Sequence, residues 1–303
     1  MKRMLAVMAA LALLFSQAAT AQEKKLRVIT TIFPAYDFAR QVGGDDVEVT
    51  LLLPPGSESH TYEPTPQDVI AIQNADLFIN NGGESDAWVR NVLDSMGEKA
   101  PKTLAMMDCV DKVEEELTGA MEGEAEAGEL DEHVWTAPRN AMTIAAAIAD
   151  TLAQIDPERA QRYADRNAAY QAQLQTLDGA FRAVVEAGTR KTIVFGDRFP
   201  LRYFVDEFGL SYDAAFPGCS EDAEPSVQTL IKLIKKVREE QIPVVFHIEF
   251  SSCKTADAIA EETGAKVLLF HSCHNIGADE LAAGATYVSL MTANAAALEE
   301  ALN

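Results

Sequence analysis

The chain has 303 residues, 48% of them hydrophobic, and a formal net charge of −22. That length accommodates one large domain or two ordinary ones, and the apolar share is that of a globular chain rather than a disordered one. The acidic balance, with no basic cluster longer than Lys-Lys, excludes nucleic acid as a partner and suits a protein that handles cations.

The first 21 residues, MKRMLAVMAALALLFSQAATA, join a positive start (Lys2, Arg3) to an apolar stretch from Ala6 to Phe15 and end in small residues at Ala19 and Ala21. This is the pattern of a cleavable secretory signal, too short to span a bilayer, and it places the remainder in a periplasm. No Cys stands beside the cleavage site to take a lipid, and no later run of 18 apolar residues follows, so a chain that does not span the membrane is expected.

From there, short apolar β-branched runs alternate with helical patterns. LRVITTIF predicts a strand and AYDFARQVGG a helix closed by glycine. VEVTLLLPP predicts a second strand, TPQDVIAIQNA a helix entered through Thr-Pro, and DLFINNG a third strand. ESDAWVRNVLDSM reads as a helix and KTLAMM as a strand. Residues 111–133 hold ten acidic side chains, one Lys and three Gly, with too little apolar surface to offset chain entropy. A mobile acidic loop is therefore expected at about 112–131.

NAMTIAAAIADTLAQID predicts a helix broken at Asp156-Pro157. Beyond it, Tyr163, Tyr170, Leu174, Leu177, Phe181 and Val184 recur at helical spacings as far as Gly188. A helix of that extent, roughly 45 Å long at 1.5 Å per residue, reads as a strut. Strand–helix alternation then resumes in KTIVFGD, FPLRYFVDEFGL, SYDAAFPG, EPSVQTLIKLIKKVREEQ, IPVVFHIEF, KTADAIAEETGA, KVLLFHS and the closing TYVSLMTANAAALEEALN. The predicted fold class is α/β, with two Rossmann-like lobes of parallel sheet at residues 22–155 and 190–303. One long rigid helix, residues 156–189, joins them, and a ligand cleft opens between the lobes at the C-terminal ends of the strands.

Sequence-local catalytic motifs are absent: there is no HExxH, no Walker loop and no nucleophile elbow. The histidines carry the chemistry instead. His60 follows the second strand, His133 follows the acidic loop, and His271 ends the strand KVLLF, so all three fall at cleft-facing edges. Neutral imidazoles shared between two lobes suit Zn²⁺, whereas Mn²⁺ and Fe²⁺ prefer more oxygen. His247, inside a strand, reads as structural. LLFHSCHN is too tight to close around an ion alone, so His271 is expected to be the ligand and His274 a support. In an oxidising compartment the four cysteines favour disulfides, and Cys219–Cys273 is the expected pair, with Cys109 and Cys253 remaining.

These features resemble the substrate-binding proteins of zinc/manganese ABC importers, the cluster A-I type. The likeness covers the whole chain after the signal and rests on GSESHTYEPTPQDV, DEHVWTAPRNA, the strut, RYFVDEFGL and TADAIAEETGAKVLL. It implies two lobes joined by a rigid helix with one metal between them, delivered by a monomeric binding protein to a membrane permease. It places ligands at His60 and His133, and at His271 where the family commonly has Asp. Where the family has a further His or Glu ligand, this chain has Arg198, whose guanidinium stays protonated and cannot ligate a cation. Asp197 is the nearest substitute, with Glu249 and Cys219 behind it and Arg198 and His274 beside the site. The nitrogen-rich set implies Zn²⁺ rather than Mn²⁺ as cargo, and no enzymatic activity. Two alternatives stand beside this reading: a Mn²⁺ or Fe²⁺ binding protein of the same kind, and a secreted zinc metalloenzyme with Glu63 or Glu249 as general base.

Overall fold

The computed structural model describes residues 24–58, 60–116, 119–121, 130–218 and 225–303. The signal expected over residues 1–21 lies outside the described residues, as do residues 117–118 and 122–129 of the acidic stretch.

Strands β1 (Leu26–Thr30), β2 (Val47–Leu51), β3 (Leu77–Asn80) and β4 (Lys102–Ala105) pair in parallel in the order β2-β1-β3-β4. The second sheet repeats that plan with β5 (Thr192–Phe199), β6 (Ser211–Pro217), β7 (Val244–His247) and β8 (Lys266–Leu269), ordered β6-β5-β7-β8. Central strands such as LFIN in β3 are buried at every position, as a parallel sheet covered on both faces requires. The covering helices are α1 (Phe33–Gly43), α2 (Pro66–Gln73), α3 (Ala87–Met96), α4 (Pro138–Ile155), α5 (Ala160–Ala187), α6 (Arg202–Phe208), α7 (Val227–Glu239), α8 (Lys254–Thr263), α9 (Ala278–Ala282) and α10 (Tyr287–Leu302).

Helix α5 is the strut. Pro157 opens a separate 3-10 turn, Pro157–Arg159, so the α-helix starts at Ala160 rather than at Asp156. Its 28 residues span about 42 Å. Tyr163, Tyr170, Leu174, Leu177, Phe181 and Val185 form its buried stripe, which rests on α1 and α4 of the first lobe and α10 of the second. Phe38 of α1 meets the Tyr170 ring of the strut at 6.1 Å and the Tyr287 ring of α10 at 5.1 Å, so aromatic packing ties lobe, strut and lobe together. One hydrophobic core accordingly runs through both halves. At the strut's N-terminal end, Arg159, Arg162 and Arg166 converge on the buried carboxylate of Asp46 at 3.7, 3.2 and 2.7 Å.

The described flanks of the acidic stretch are anchored, while most of the middle, where a mobile loop is expected, lies outside the described residues. Ala120 and Met121 are buried, and the Ala120 N–H donates to Asp213 Oδ1 at 2.7 Å. The Tyr212 hydroxyl donates to the Glu116 carbonyl, and Glu114 bridges to Leu130. Ala120 and Met121 thus seat residues 119–121 against the second lobe.

Candidate metal centre

Each wall of the cleft is built by a loop at the C-terminal end of a strand. His60 lies between β2 and α2. Thr65 fixes the far end of that loop: its Oγ1 accepts from the Asp68 N–H, Asp68 accepts from the Thr65 N–H, and Pro66 fills the first helical turn. The His60 Nδ1 pairs with Ser85 Oγ at 2.9 Å. Ser85 is presented by the NNGGES turn after β3, where Gly82 (φ 89°) and Gly83 (φ 82°) adopt left-handed backbone that other residues resist.

His133 precedes α4 and is fully buried. Its Nδ1 and its own backbone N–H both reach Asp131 Oδ1, at 3.1 and 2.8 Å. That contact makes Nδ1 the protonated nitrogen and turns Nε2 into a lone-pair donor for the cleft, where it is buried without a hydrogen-bond partner. The Gly218 backbone passes so close that a Cβ there would stand 3.2 Å from His133 Cε1 and 2.9 Å from the Phe199 carbonyl oxygen.

From the second lobe it is the His274 imidazole, rather than that of His271, that comes together with His60 and His133. Strand β8 ends at Leu269, Phe270 enters the core, and Cys273 then takes a left-handed conformation (φ 61°) that reverses the chain. Asn294 clamps the His271 backbone by accepting its N–H and donating to its carbonyl, both at 2.7 Å. The His271 ring stays behind the site, 3.6 Å from Glu249 Oε2 and 3.8 Å from Glu280 Oε2, with Nδ1 accepting from the Cys273 N–H. Glu249 accepts from the Ser272 N–H at 2.7 Å, the Ser272 hydroxyl at 2.6 Å and the His274 N–H at 3.3 Å, which holds the reversed loop in place.

One ligand nitrogen each from His60, His133 and His274 comes within 4.8 Å of the others, a group able to hold a metal ion. The rings meet nearly edge to face, at 5.0 Å for His60–His274 and 5.3 Å for His133–His274, and Trp135 packs under His274 at 4.8 Å. They open on a cavity of about 30 Å³, room for an ion and one or two waters, whose wall also includes Glu58, Arg198 and Glu249. Burial and the neighbouring imidazole of His133 lower the His60 ring to about 4. Burial and its two imidazole neighbours push His274 well below the usual histidine value. For His133 burial opposes the charge, but Asp131 outweighs it and the ring is raised.

The remaining candidates from the sequence lie elsewhere. Asp197 does not join the cluster: its Oδ1 accepts from the Arg198 N–H within β5 at 2.8 Å, and its Oδ2 accepts from the Ile248 N–H at 3.2 Å and fastens β5 to the end of β7. Glu63 is exposed, outside the cavity wall. His247 bonds the Ile248 carbonyl and the Cys253 thiol. Cys273 is a free buried thiol within the core; Cys219, the other half of the expected Cys219–Cys273 pair, lies outside the described residues. Cys109 and Cys253 are free as well. Sequence reasoning passed over Ser85 and Glu58, which have no motif of their own, and over Asp131, whose placement two residues before His133 was the available signal.

The family described as zinc-uptake complex component A, periplasmic (ZnuA), matches residues 28–301. The chain belongs to this ZnuA family. The zinc-binding lipoprotein AdcA of Streptococcus pneumoniae is 31% identical over 99% of this chain, which spans 61% of that relative's length. The high-affinity zinc uptake system protein ZnuA of Bacillus subtilis is 31% identical over 92% of this chain and 88% of its own. Among solved structures, the Zn(II)-bound ZnuA-like domain of S. pneumoniae AdcA superimposes with a TM-score of 0.77 at 30% identity, covering 92% of this chain and 99% of that domain. As a ZnuA-type chain it has two parallel-sheet lobes and a helical linker, and no described helix is long and apolar enough to cross a membrane.

Proposed function

We propose that this chain is the extracytoplasmic binding protein of an ABC-type zinc importer, holding one Zn²⁺ through His60, His133 and His274 and handing it to a membrane permease. The observation that carries this reading is the convergence of three imidazole nitrogens on one small cavity, with the His133 Nε2 buried and otherwise unpartnered. Three neutral nitrogen donors match the preference of Zn²⁺, and Mn²⁺ would lack its oxygen ligands. The fourth position is left to a water. No bond is made or broken in the cargo; the chemistry is ligand exchange, and the protein acts as a monomer in the periplasm.

A zinc hydrolase is the weaker reading. It needs a free general base and space for a substrate. Glu249 is committed to three donors of the His274 loop, Glu63 is outside the cavity, and the cavity holds little beyond an ion.

Competitive titration of metal-free protein with Zn²⁺ and Mn²⁺ tests the assignment. His274→Ala is expected to lower Zn²⁺ affinity by at least a hundredfold. His271→Ala and Asp197→Ala are expected to cost less than tenfold. A loss confined to His271→Ala would overturn the ligand set, and preference for Mn²⁺ would overturn the cargo.

A further inference from the structure

We propose that Arg198 and Glu58 form a cross-lobe latch over the three-imidazole cavity, one that sets how fast an ion enters and leaves rather than how tightly it is held. Glu58 belongs to the first lobe, two residues before His60, and Arg198 to the end of β5 in the second. The Arg198 Nη2 donates to Glu58 Oε2 at 2.8 Å, and both side chains line the cavity that the imidazoles share. The pair therefore closes the mouth of the site from opposite walls.

Chemistry explains why the two must act together. A guanidinium cannot ligate a cation and by itself would repel one from this cavity. Paired with Glu58 it presents no net charge. Once the pair opens, Oε2 of Glu58 is uncovered at the mouth while Oε1 still accepts from the His60 N–H at 3.4 Å, so an approaching cation meets that carboxylate before the imidazoles. The Arg198 side chain is 20% exposed and that of Glu58 42%, so opening exchanges a surface ion pair for hydration and costs little, unlike the rupture of a buried pair.

The surroundings make side-chain movement the low-cost route of access. The Asn275 Nδ2 donates to the carbonyls of both Pro54 and Ser57 at 2.8 Å, and the Gly56 N–H donates to the Ile276 carbonyl at 2.9 Å. These bonds pin the backbone beneath Glu58 to the second lobe. Arg198 is equally anchored, since its N–H is held by Asp197, which also grips Ile248. With both bases fixed, an ion is admitted when the Arg198 side chain swings away from Glu58, whose carboxylate stays beside His60 through the His60 N–H.

This latch rests on the three-imidazole reading, and the experiment separates the two. Zinc stoichiometry is measured on the wild type and on His274→Ala. Stopped-flow release of Zn²⁺ to a chromophoric chelator is then followed for wild type, Arg198→Gln, Glu58→Gln and the double variant. Each single substitution should speed release by about fivefold, the upper range for an ion pair of this exposure. Entry should accelerate alike, leaving equilibrium affinity within threefold, and the double variant should be no faster than either single. High salt should accelerate the wild type alone. A wild type that binds no Zn²⁺ overturns the imidazole site and the latch with it. One bound ion with unchanged release rates overturns the latch alone. A loss of equilibrium affinity above tenfold in Glu58→Gln would make Glu58 a ligand, and also overturns it.

Discussion

At the residue scale, the three imidazoles differ in the proton they carry, and this sets the pH dependence of binding. Zinc requires neutral rings. His60, lowered to about 4, and His274, well below its usual value, are already neutral at pH 6, whereas His133 is raised by Asp131 and carries a proton there. Binding at pH 6 should therefore expel about one proton, and between the raised His133 value and about pH 4, where His60 also protonates, affinity should fall about tenfold per pH unit rather than a thousandfold. Calorimetry in two buffers of different ionisation heat counts that proton; a value near three would contradict the assignment. Asp131→Asn should remove the raised His133 value and lower Zn²⁺ affinity about tenfold to a hundredfold, because the ring loses the acceptor that fixes its tautomer. A competitive titration at pH 6 and pH 8 reads both effects. At this scale the sequence was only partly legible. His60 and His133 stand out because loops at strand ends isolate them. The choice between His271 and His274 turns on one left-handed residue, Cys273, and no local pattern marks a non-glycine residue for that conformation.

At the scale of elements, the loop after β8 depends on a carboxylate from the loop after β7. Glu249 bonds Ser272 twice and His274 once, so it sets where the third imidazole sits without meeting the ion. Glu249→Gln keeps the shape but weakens three charge-assisted bonds. The expected result is about a tenfold loss of Zn²⁺ affinity together with faster amide exchange over residues 271–275, measured on metal-free protein. Gly218→Ala acts from the other wall: its methyl group would crowd the His133 ring and the Phe199 carbonyl, so a comparable loss of affinity is expected. The strands and the strut were readable from apolar periodicity, which is a local property. The Glu249 contacts join loops 23 residues apart and have no periodic signature. The anchored flanks of the acidic stretch were unreadable for a related reason: composition reports average burial, and Ala120 and Met121 are exceptions within it.

At the scale of the whole molecule, two lobes behave as one body because the strut and its core are continuous between them. His60 and His133 come from the first lobe and His274 from the second, so a bound ion adds a further tie across the cleft. An ion at a thousand times its dissociation constant stabilises the native state by about 4 kcal/mol. For a chain of this size that raises the melting temperature by about 10 °C. Calorimetry should show a single transition that moves up with Zn²⁺ and returns on chelation. In His274→Ala the upward shift should shrink to a few degrees, because the ion then touches only the first lobe. The strut can be tested apart from the metal. Asp46→Asn leaves Arg159, Arg162 and Arg166 without their shared carboxylate and should cost about 2 kcal/mol, measured by denaturant unfolding. Its Zn²⁺-induced shift should persist at full size, since the damage lies at the far end of the helix. If the Asp46→Asn protein instead melts in two steps, the strut couples the lobes through that carboxylate rather than through the shared aromatic core of Phe38, Tyr170 and Tyr287.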